Sequence, residues 1–241
     1  MTFTLAGVFA EAGAQWRRAR GLLLPVVAVF HFLPMFAFWL FVGPMQAVEN
    51  PEAQWDAASA WYLGNMPWLL GVQLIGWFGA AVVLLLLLDP ARPSVGEALG
   101  RAAGLFPRFL SVAILTSIMV NVGLILLIVP GLYLFGRSFT WSAVVVAEPG
   151  HGATGSITRS FELTRGKGWI LSLAGTIVVC AGLLAAEVLG PVRAVPGDVV
   201  HILLRTLLNA AAAAVSSATT LGLLLLQAAA YRLLAAPSKG I

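Results

Sequence analysis

Two charged side chains stand inside otherwise apolar stretches of this chain, and they are the first candidates for chemistry. Arg137 lies six residues after Gly131, and Glu187 lies near the end of a later apolar run. An ionisable group inside a membrane segment often belongs to a substrate path, a proton relay or a structural ion pair. We therefore expect one of two arrangements. Either Arg137 pairs with Glu187 inside a helical bundle, or its guanidinium extends to the outer headgroups.

Uncharged polar side chains form a second group of candidates, and they fall near helical spacing. They are Asn121 in one apolar run and Asn209, Ser216, Ser217 and Thr220 in another. Such residues usually form hydrogen bonds between membrane helices, and the alternative is that they line a polar cavity.

No catalytic or metal-binding arrangement accompanies these residues. The three histidines are far apart, and His31, between two phenylalanines, is expected to be buried and neutral. Cys180 is alone, which excludes an intramolecular disulfide and a cysteine-based metal cage. The chain has no zinc spacing, nucleophile elbow, phosphate loop or carboxylate pair. We therefore expect neither a cofactor nor a metal, and we expect that the protein is not an enzyme.

The composition indicates the environment that must position these side chains. Hydrophobic residues make up 60% of the 241, and charged residues only 10%, against roughly 25% in soluble domains. The mean hydropathy is +0.94. The net charge of +4 could suggest nucleic acid as a partner. However, the basic residues stand in short clusters beside apolar runs, which is typical of contact with anionic lipid. Nucleic acid is therefore not an expected partner.

The apolar runs predict an all-α, polytopic membrane protein with one membrane domain over 1–241. Six transmembrane helices are expected as three hairpins, each preceded by an amphipathic interfacial helix. The predicted spans are 21–43, 66–88, 109–129, 132–147, 169–189 and 203–232, and the predicted interfacial helices are 3–18, 94–106 and 153–166. Residues 44–65 are expected to form a polar loop, and Pro130-Gly131 a tight turn.

The basic residues predict the orientation of these spans. Of the 14 Lys and Arg residues, eleven fall in segments that share one side. They are Arg17, Arg18, Arg20, Arg92, Arg101, Arg108, Arg159, Arg165, Lys167, Arg232 and Lys239. The positive-inside rule then places both termini in the cytoplasm. Glu148 is expected at the same interface, where it can meet Arg159 or Arg165.

One stretch carries a resemblance to a known family. It consists of Ile128-Val129-Pro130-Gly131-Leu132-Tyr133-Leu134, then Arg137 and Glu148, then Ser160-Phe161-Glu162-Leu163-Thr164-Arg165-Gly166 with Trp169. This pattern resembles the membrane domain that precedes the catalytic domain in some glycerophosphoryl diester phosphodiesterases. Stand-alone relatives of that domain form a family of largely uncharacterised multi-pass bacterial inner-membrane proteins. The match covers about 127–169.

The resemblance implies where this chain resides and which residues form its motif. The implied motif and interface residues are Pro130, Gly131, Tyr133, Glu148, Ser160, Thr164, Arg165, Gly166 and Trp169. In that family the phosphodiesterase is a separate soluble barrel with acidic and histidine metal ligands, and no segment here resembles it. The resemblance therefore implies a bacterial plasma-membrane protein and not a hydrolase.

Two classes of function follow from these observations. The leading expectation is a non-enzymatic membrane protein that organises lipid, anionic on the cytoplasmic side, or supports a membrane-protein partner. The alternative is a small transporter or channel subunit with a polar path near Arg137, Glu187 and the polar face of the sixth span. A continuous polar cavity through the bundle would favour the alternative.

Overall fold

Helices account for nearly all of the chain that the computed structural model describes, namely residues 3–42, 45, 50–193 and 199–236. These residues contain no β-strand, so the predicted all-α class is confirmed. Two positions used in the sequence analysis lie outside the described residues. They are Gly43, where the first predicted span ends, and Lys239 at the C-terminal end.

The helices have the following bounds. They are, in chain order, α1 Leu5–Val27, a π-helical turn Ala28–Phe32, α2 Leu33–Phe41, α3 Pro51–Gly64, α4 Met66–Leu88, α5 Val95–Leu126, α6 Ile128–Arg137, α7 Trp141–Ala147, α8 Ala153–Leu163, α9 Gly168–Arg193 and α10 Val199–Ala235. Residues 44–65 were expected to form a loop, and α3 occupies most of that segment.

Five helices of the described chain are long and apolar enough to cross a membrane. They are Leu5–Phe41, Met66–Leu88, Val95–Leu126, Gly168–Val188 and Ile202–Ala235. The protein is therefore a multi-pass membrane protein. The sequence predicts six spans, and the difference lies at 132–147, where two short helices replace one span. The hydroxyl of Ser138 donates to the carbonyl oxygen of Leu134 at 2.8 Å. Such back-bonding bends helices and coincides here with the break between α6 and α7.

The first span is continuous with the segment predicted to be a separate interfacial helix. Thr4 caps α1 by accepting a hydrogen bond from the Gly7 amide. The helix then runs without a break through 3–18 and into the apolar part, so that Leu5–Phe41 is one helix of 37 residues. Arginine is a good helix former, and the cluster at 17–20 therefore does not interrupt it. A π-helical turn, Ala28–Phe32, lies between Pro25 and Pro34.

Helix α5 likewise joins a predicted interfacial helix to a span. Ser94 and Glu97 form a capping box at its start, and it continues for 32 residues. Its length of about 48 Å exceeds the roughly 30 Å of a hydrocarbon core. The chain reverses at Leu127, whose backbone is extended, so the predicted Pro130-Gly131 turn is wrong. Both residues belong to α6, and a Cβ at Gly131 would lie 2.6 Å from Leu124 Cα. The glycine therefore permits the close approach of α6 to α5.

The helices pack around α10, which contacts α1, α2, α4, α7 and α9. At one end of the bundle a layer of helix segments extends the core, and we call it the basic layer. It comprises residues 5–20 of α1, residues 86–107 from the end of α4 through the start of α5, residues 148–167 around α8, and residues 228–235 of α10. Val8, Ala98 and Ala102 are fully buried there. The three predicted interfacial segments thus pack into the bundle.

The surface away from the basic layer is strongly apolar. Phe41, Ile125 and Leu184 each expose more than two thirds of their area. Such exposure would be unfavourable in water and suits contact with lipid chains. Among the described residues, the charged side chains therefore concentrate in the basic layer, and the surface elsewhere suits contact with lipid.

Candidate functional site

The residues that carry the family resemblance come together where α6, α8 and α9 meet. The backbone carbonyl of Arg137 accepts hydrogen bonds from Thr164 Oγ1 at 2.7 Å and from Ser160 Oγ at 3.3 Å. Both hydroxyl residues are fully buried. The Tyr133 and Trp169 rings lie 5.5 Å apart. These side chains satisfy the carbonyl left free at the end of α6, which is an architectural task.

Two glycines allow this meeting of helices. A Cβ at Gly136 would overlap the backbone carbonyl of Gly168, so the helices touch directly. Gly166 has φ +72, the left-handed conformation that reverses the chain between α8 and α9. Arg165 precedes it and is exposed.

The structure does not bring Arg137 and Glu187 together. Arg137 lies beside Gly168 at the start of α9, with its side chain against that backbone. Glu187 is exposed on the same helix, roughly 28 Å further along its axis. The Arg137 guanidinium instead lies 5.2 Å from the centre of the Phe161 ring, which is a cation–π distance. The prediction of this pair assumed that 132–147 forms one straight span. The helix breaks at 138–140 instead, between α6 and α7, so the assumption is wrong.

Glu148 is the centre of a half-buried polar cluster in the basic layer. Its carboxylate accepts from Arg159 Nε at 3.1 Å and from the Tyr231 hydroxyl at 3.0 Å. His151 Nε2 lies 2.9 Å from the same carboxylate. The ion pair expected with Arg159 or Arg165 thus forms with Arg159. Burial by itself lowers the pKa of the Arg159 guanidinium, but Glu148 and Glu162 raise it, and the pKa lies above its ordinary value.

Arg108 completes the same region from α5. Its guanidinium donates to the carbonyl oxygens of Val145, Pro149 at 2.5 Å and His151 at 2.8 Å. These carbonyls belong to the end of α7 and the turn after it, where helix geometry leaves acceptors unused. A cation at this position also complements the helix dipole. Arg108 therefore caps α7, a role that its position beside a span did not indicate.

The predicted polar residues divide into two kinds. Asn209 is buried and its amide donates to the carbonyl of Trp39 at 3.2 Å, which joins α10 to α2. Asn121 is exposed and donates within its own helix, to Ser117. Hydroxyls on α10 also bond one turn back: Ser217 to Ala213 and Thr220 to Ser216.

An intramembrane cavity of about 230 Å³ lies between the π-helical turn, α4, α7 and α10. Its polar wall is formed by His31, Gln73, Ser142, Ser216, Ser217, Thr220 and Gln227. The Ser142 hydroxyl donates to Gln227 Oε1 at 2.7 Å. This pair lies between the cavity and the Glu148 cluster, because Tyr231 follows Gln227 by one helical turn. Neither Arg137 nor Glu187 lines the cavity.

A groove of about 730 Å³ lies within the basic layer, between α1, the end of α4 and the turn that follows it. Arg18, Arg92 and Arg232 line it, together with an apolar wall that includes Leu22. Gln15 also lines it, and its buried Oε1 has no hydrogen-bond partner among the described residues. The groove therefore combines guanidinium groups and leucine side chains, and an unpartnered amide oxygen is buried beside them.

Comparisons with known proteins support a coarse assignment. Over 118 residues, 48% of this chain, the sequence is 31% identical to the UPF0259 membrane protein SG1383 of Sodalis glossinidius (strain morsitans). The chain covers 45%, about half, of the length of that relative. No family model matches the chain, and no solved structure matches it. The chain is therefore similar to a bacterial membrane protein. Nothing in the comparisons supports the link to glycerophosphoryl diester phosphodiesterases.

Sequence reasoning missed most of the groups that form these sites. Among the described residues, no three metal-binding side chains come together. The sites contain residues that the sequence analysis did not single out as candidates, namely Arg108, His151, Tyr231, Gln15 and Gln227. Gln227 offered a signal, because it is a lone amide in the apolar run 223–230, whereas Gln15 stands between Glu11 and Arg18 and offered none.

Proposed function

We propose that this protein is a non-enzymatic protein of the bacterial plasma membrane that binds anionic lipid at its basic layer. In doing so it organises lipid or supports a membrane-protein complex. By the positive-inside rule, the basic layer and both termini lie on the cytoplasmic side. The observation that carries the proposal is the groove lined by Arg18, Arg92 and Arg232 beside a leucine wall.

The distribution of ion pairs supports a site for an anion. The carboxylates of the basic layer have partners within the protein. Glu11 pairs with Arg232, Asp89 with Arg101, and Glu148 and Glu162 with Arg159, while Glu97 accepts from Ser94 in the capping box. Five exposed arginines of this layer have no ion pair within the described residues. They are Arg17, Arg18, Arg20, Arg92 and Arg165. The layer therefore presents uncompensated positive charge.

The groove has the chemistry of a phospholipid headgroup site. Arg18 and Arg92 can donate to a phosphate, and guanidinium groups suit that partner because their donors form a fork. Leu22 and the leucines at the end of α4 offer contact for the first part of an acyl chain. Phosphatidylglycerol, with an anionic phosphate and acyl chains, matches both the guanidinium groups and the leucine wall.

Native mass spectrometry of the detergent-purified chain tests this proposal. Phosphatidylglycerol and phosphatidylcholine are added at equal concentration, and bound lipid is counted on the protein and on Arg18→Gln/Arg92→Gln. We expect the protein to prefer phosphatidylglycerol. The double variant should lose about 30-fold in affinity for it, at roughly 1 kcal/mol for each charge.

The matched control is Arg17→Gln/Arg20→Gln, which removes the same charge from the same region. Both residues are exposed and neither lines the groove. A loss of threefold or less is expected for this control. Equal losses in the two double variants, or no preference for phosphatidylglycerol, would contradict a site at the groove.

The intramembrane cavity favours a second candidate function, a small transporter. The polar face of α10 lines that cavity, whereas Arg137 and Glu187, which the alternative expectation also placed on the path, do not. On the side of the basic layer, the Ser142–Gln227 hydrogen bond borders the cavity, and the Glu148–Tyr231 hydrogen bond follows one helical turn further along α10. Uptake of a solute into vesicles that contain the protein, reduced by Gln227→Leu, would favour this candidate over a lipid-organising role.

A further inference from the structure

The cavity between the π-helical turn and α10 presents unused hydrogen-bond acceptors. Ser217 donates its hydroxyl proton to Ala213 at 2.7 Å, and Thr220 donates to Ser216 at 3.0 Å. Each hydroxyl oxygen keeps its lone pairs, since a hydroxyl has one proton and two acceptor positions. Both residues line the cavity. A molecule inside would therefore meet acceptors along α10 and would need a donor of its own.

His31 contributes an imidazole to the opposite wall. It belongs to the π-helical turn, a structure that is frequent at functional sites. The ring packs on α4, where a Cβ at Gly76 would be 3.5 Å from Nδ1. Its Nε2 is buried without a hydrogen-bond partner among the described residues. A Cβ at Gly79 would lie 3.2 Å from Nε2, so this nitrogen faces α4, while the ring borders the cavity beside Gly76.

The rest of the lining excludes an ionic occupant. No Asp, Glu, Lys or Arg is among the described residues that line the cavity. An ion inside would lose its hydration without gaining a counter-charge, which is costly within a membrane. Phe30, Trp77, Phe109 and Trp141 form the apolar part of the wall. Aromatic walls with a few polar groups are typical of sites for small organic molecules.

We infer that this cavity is a binding site for a small uncharged molecule that has an apolar body and an N–H or O–H donor. A volume of about 230 Å³ suits roughly nine non-hydrogen atoms, because an engineered apolar cavity of about 150 Å³ holds benzene. The donor bonds to the hydroxyl oxygens of α10, and the apolar body lies against the aromatic wall. This site is separate from the groove of the basic layer, and either assignment can fail without the other.

Indole and indene test the inference as a matched pair of probes. They share one ring shape, and only indole carries an N–H donor. The full chain in detergent is unfolded thermally with each probe, and circular dichroism gives the dependence of the midpoint on probe concentration, from which an affinity follows. We expect indole to raise the midpoint with saturation. Indene should bind about five- to tenfold more weakly, as expected for one lost hydrogen bond.

Two variants and their controls locate the effect. Thr220→Val removes an acceptor from the cavity, and Thr206→Val removes the same group from a half-buried position of α10 that does not line the cavity. Gly76→Val fills the space beside His31, and Gly71→Val places the same methyl groups on α4 where nothing lies within 4 Å. We expect Thr220→Val to weaken indole binding about fivefold and Gly76→Val to abolish it, with both controls unchanged.

Several results would overturn the inference. The first is the absence of any saturable shift with indole, and the second is an equal shift with indene. Either result would mean that the probe acts only by partitioning into the detergent micelle. The third is equal indole affinity in Thr220→Val, Gly76→Val and their two controls. If Gly76→Val fails to fold, the Thr220→Val and Thr206→Val pair still decides the outcome, because both substitutions conserve volume.

Discussion

The Glu148 cluster and the intramembrane cavity are adjacent polar regions that differ in how many of their polar atoms have hydrogen-bond partners. In the cluster, Glu148 accepts from Arg159 and Tyr231 and lies 2.9 Å from His151. The buried Nε of Arg108, beside the cluster, has no partner among the described residues. At the cavity, the Ser217 and Thr220 oxygens keep unused lone pairs, and the buried His31 Nε2 has no partner among the described residues. Satisfied polar groups rigidify a fold, whereas an unsatisfied group is costly unless something else occupies the space. The difference teaches that the cluster serves architecture and that the cavity is suited to an occupant.

Removal of Glu148 should have the largest effect on stability. Glu148→Ala deprives a guanidinium, a phenol and an imidazole of one shared acceptor, and the free energy of unfolding should fall by about 2 kcal/mol. Equilibrium unfolding in mixed micelles with sodium dodecyl sulfate measures the loss. Glu162→Ala is the control, since Glu162 forms one ion pair and is 61% exposed, and it should cost at most about 0.5 kcal/mol. Equal losses in both variants would break the contrast.

Gln227 stands at the boundary between the two regions and should show an intermediate effect. Gln227→Leu leaves the Ser142 hydroxyl without its acceptor, so the free energy of unfolding should fall by about 1 kcal/mol. Gln73→Leu changes the same group at an exposed position of the cavity wall and should be nearly neutral. If the Gln227 variant matches Glu148→Ala in its loss, the two regions are one network.

Substitution of Thr116 should have the smallest effect on the free energy of unfolding. It tests directly what a buried hydroxyl without a partner costs. Its buried Oγ1 has no hydrogen-bond partner in the described chain. Thr116→Val keeps the shape and removes that polar atom, so stability should stay within about 0.5 kcal/mol or rise. Thr140→Val, by contrast, removes a 2.9 Å bond to Ser160 and should cost about 1 kcal/mol. The same unfolding measurement compares them, and a larger loss at Thr116 would mean that its hydroxyl has a partner after all.

Much of the fold follows from local chemistry that the sequence displays. The apolar run 66–88 forms α4 with the predicted bounds, because such a run satisfies its backbone only as a helix in lipid. The capping box at Ser94 and Glu97 is visible in the sequence and starts α5. By contrast, the breaks predicted at 18–21 and 106–109 are wrong, since α1 and α5 continue through them. Arginine and a single proline change hydropathy there without ending the helix.

The candidate sites were predictable only in part, since they depend on contacts between distant segments. The pair of Glu148 and Arg159 lies within eleven residues and could be expected from spacing. The bonds of Arg108 to the end of α7 join positions about forty residues apart. Tyr231 reaches Glu148 from 83 residues away. No periodicity in the sequence connects such positions.

The sequence by itself determined the class of this protein, its helices and its basic clusters, because hydropathy and charge are properties of each segment alone. Only the tertiary structure decided which polar groups are satisfied and where space remains. Arg137 and Glu187 illustrate the reason. Their separation depends on a helix break near Ser138 and on the contact of Gly136 with Gly168. Such contacts arise from packing of whole helices, which no single segment encodes.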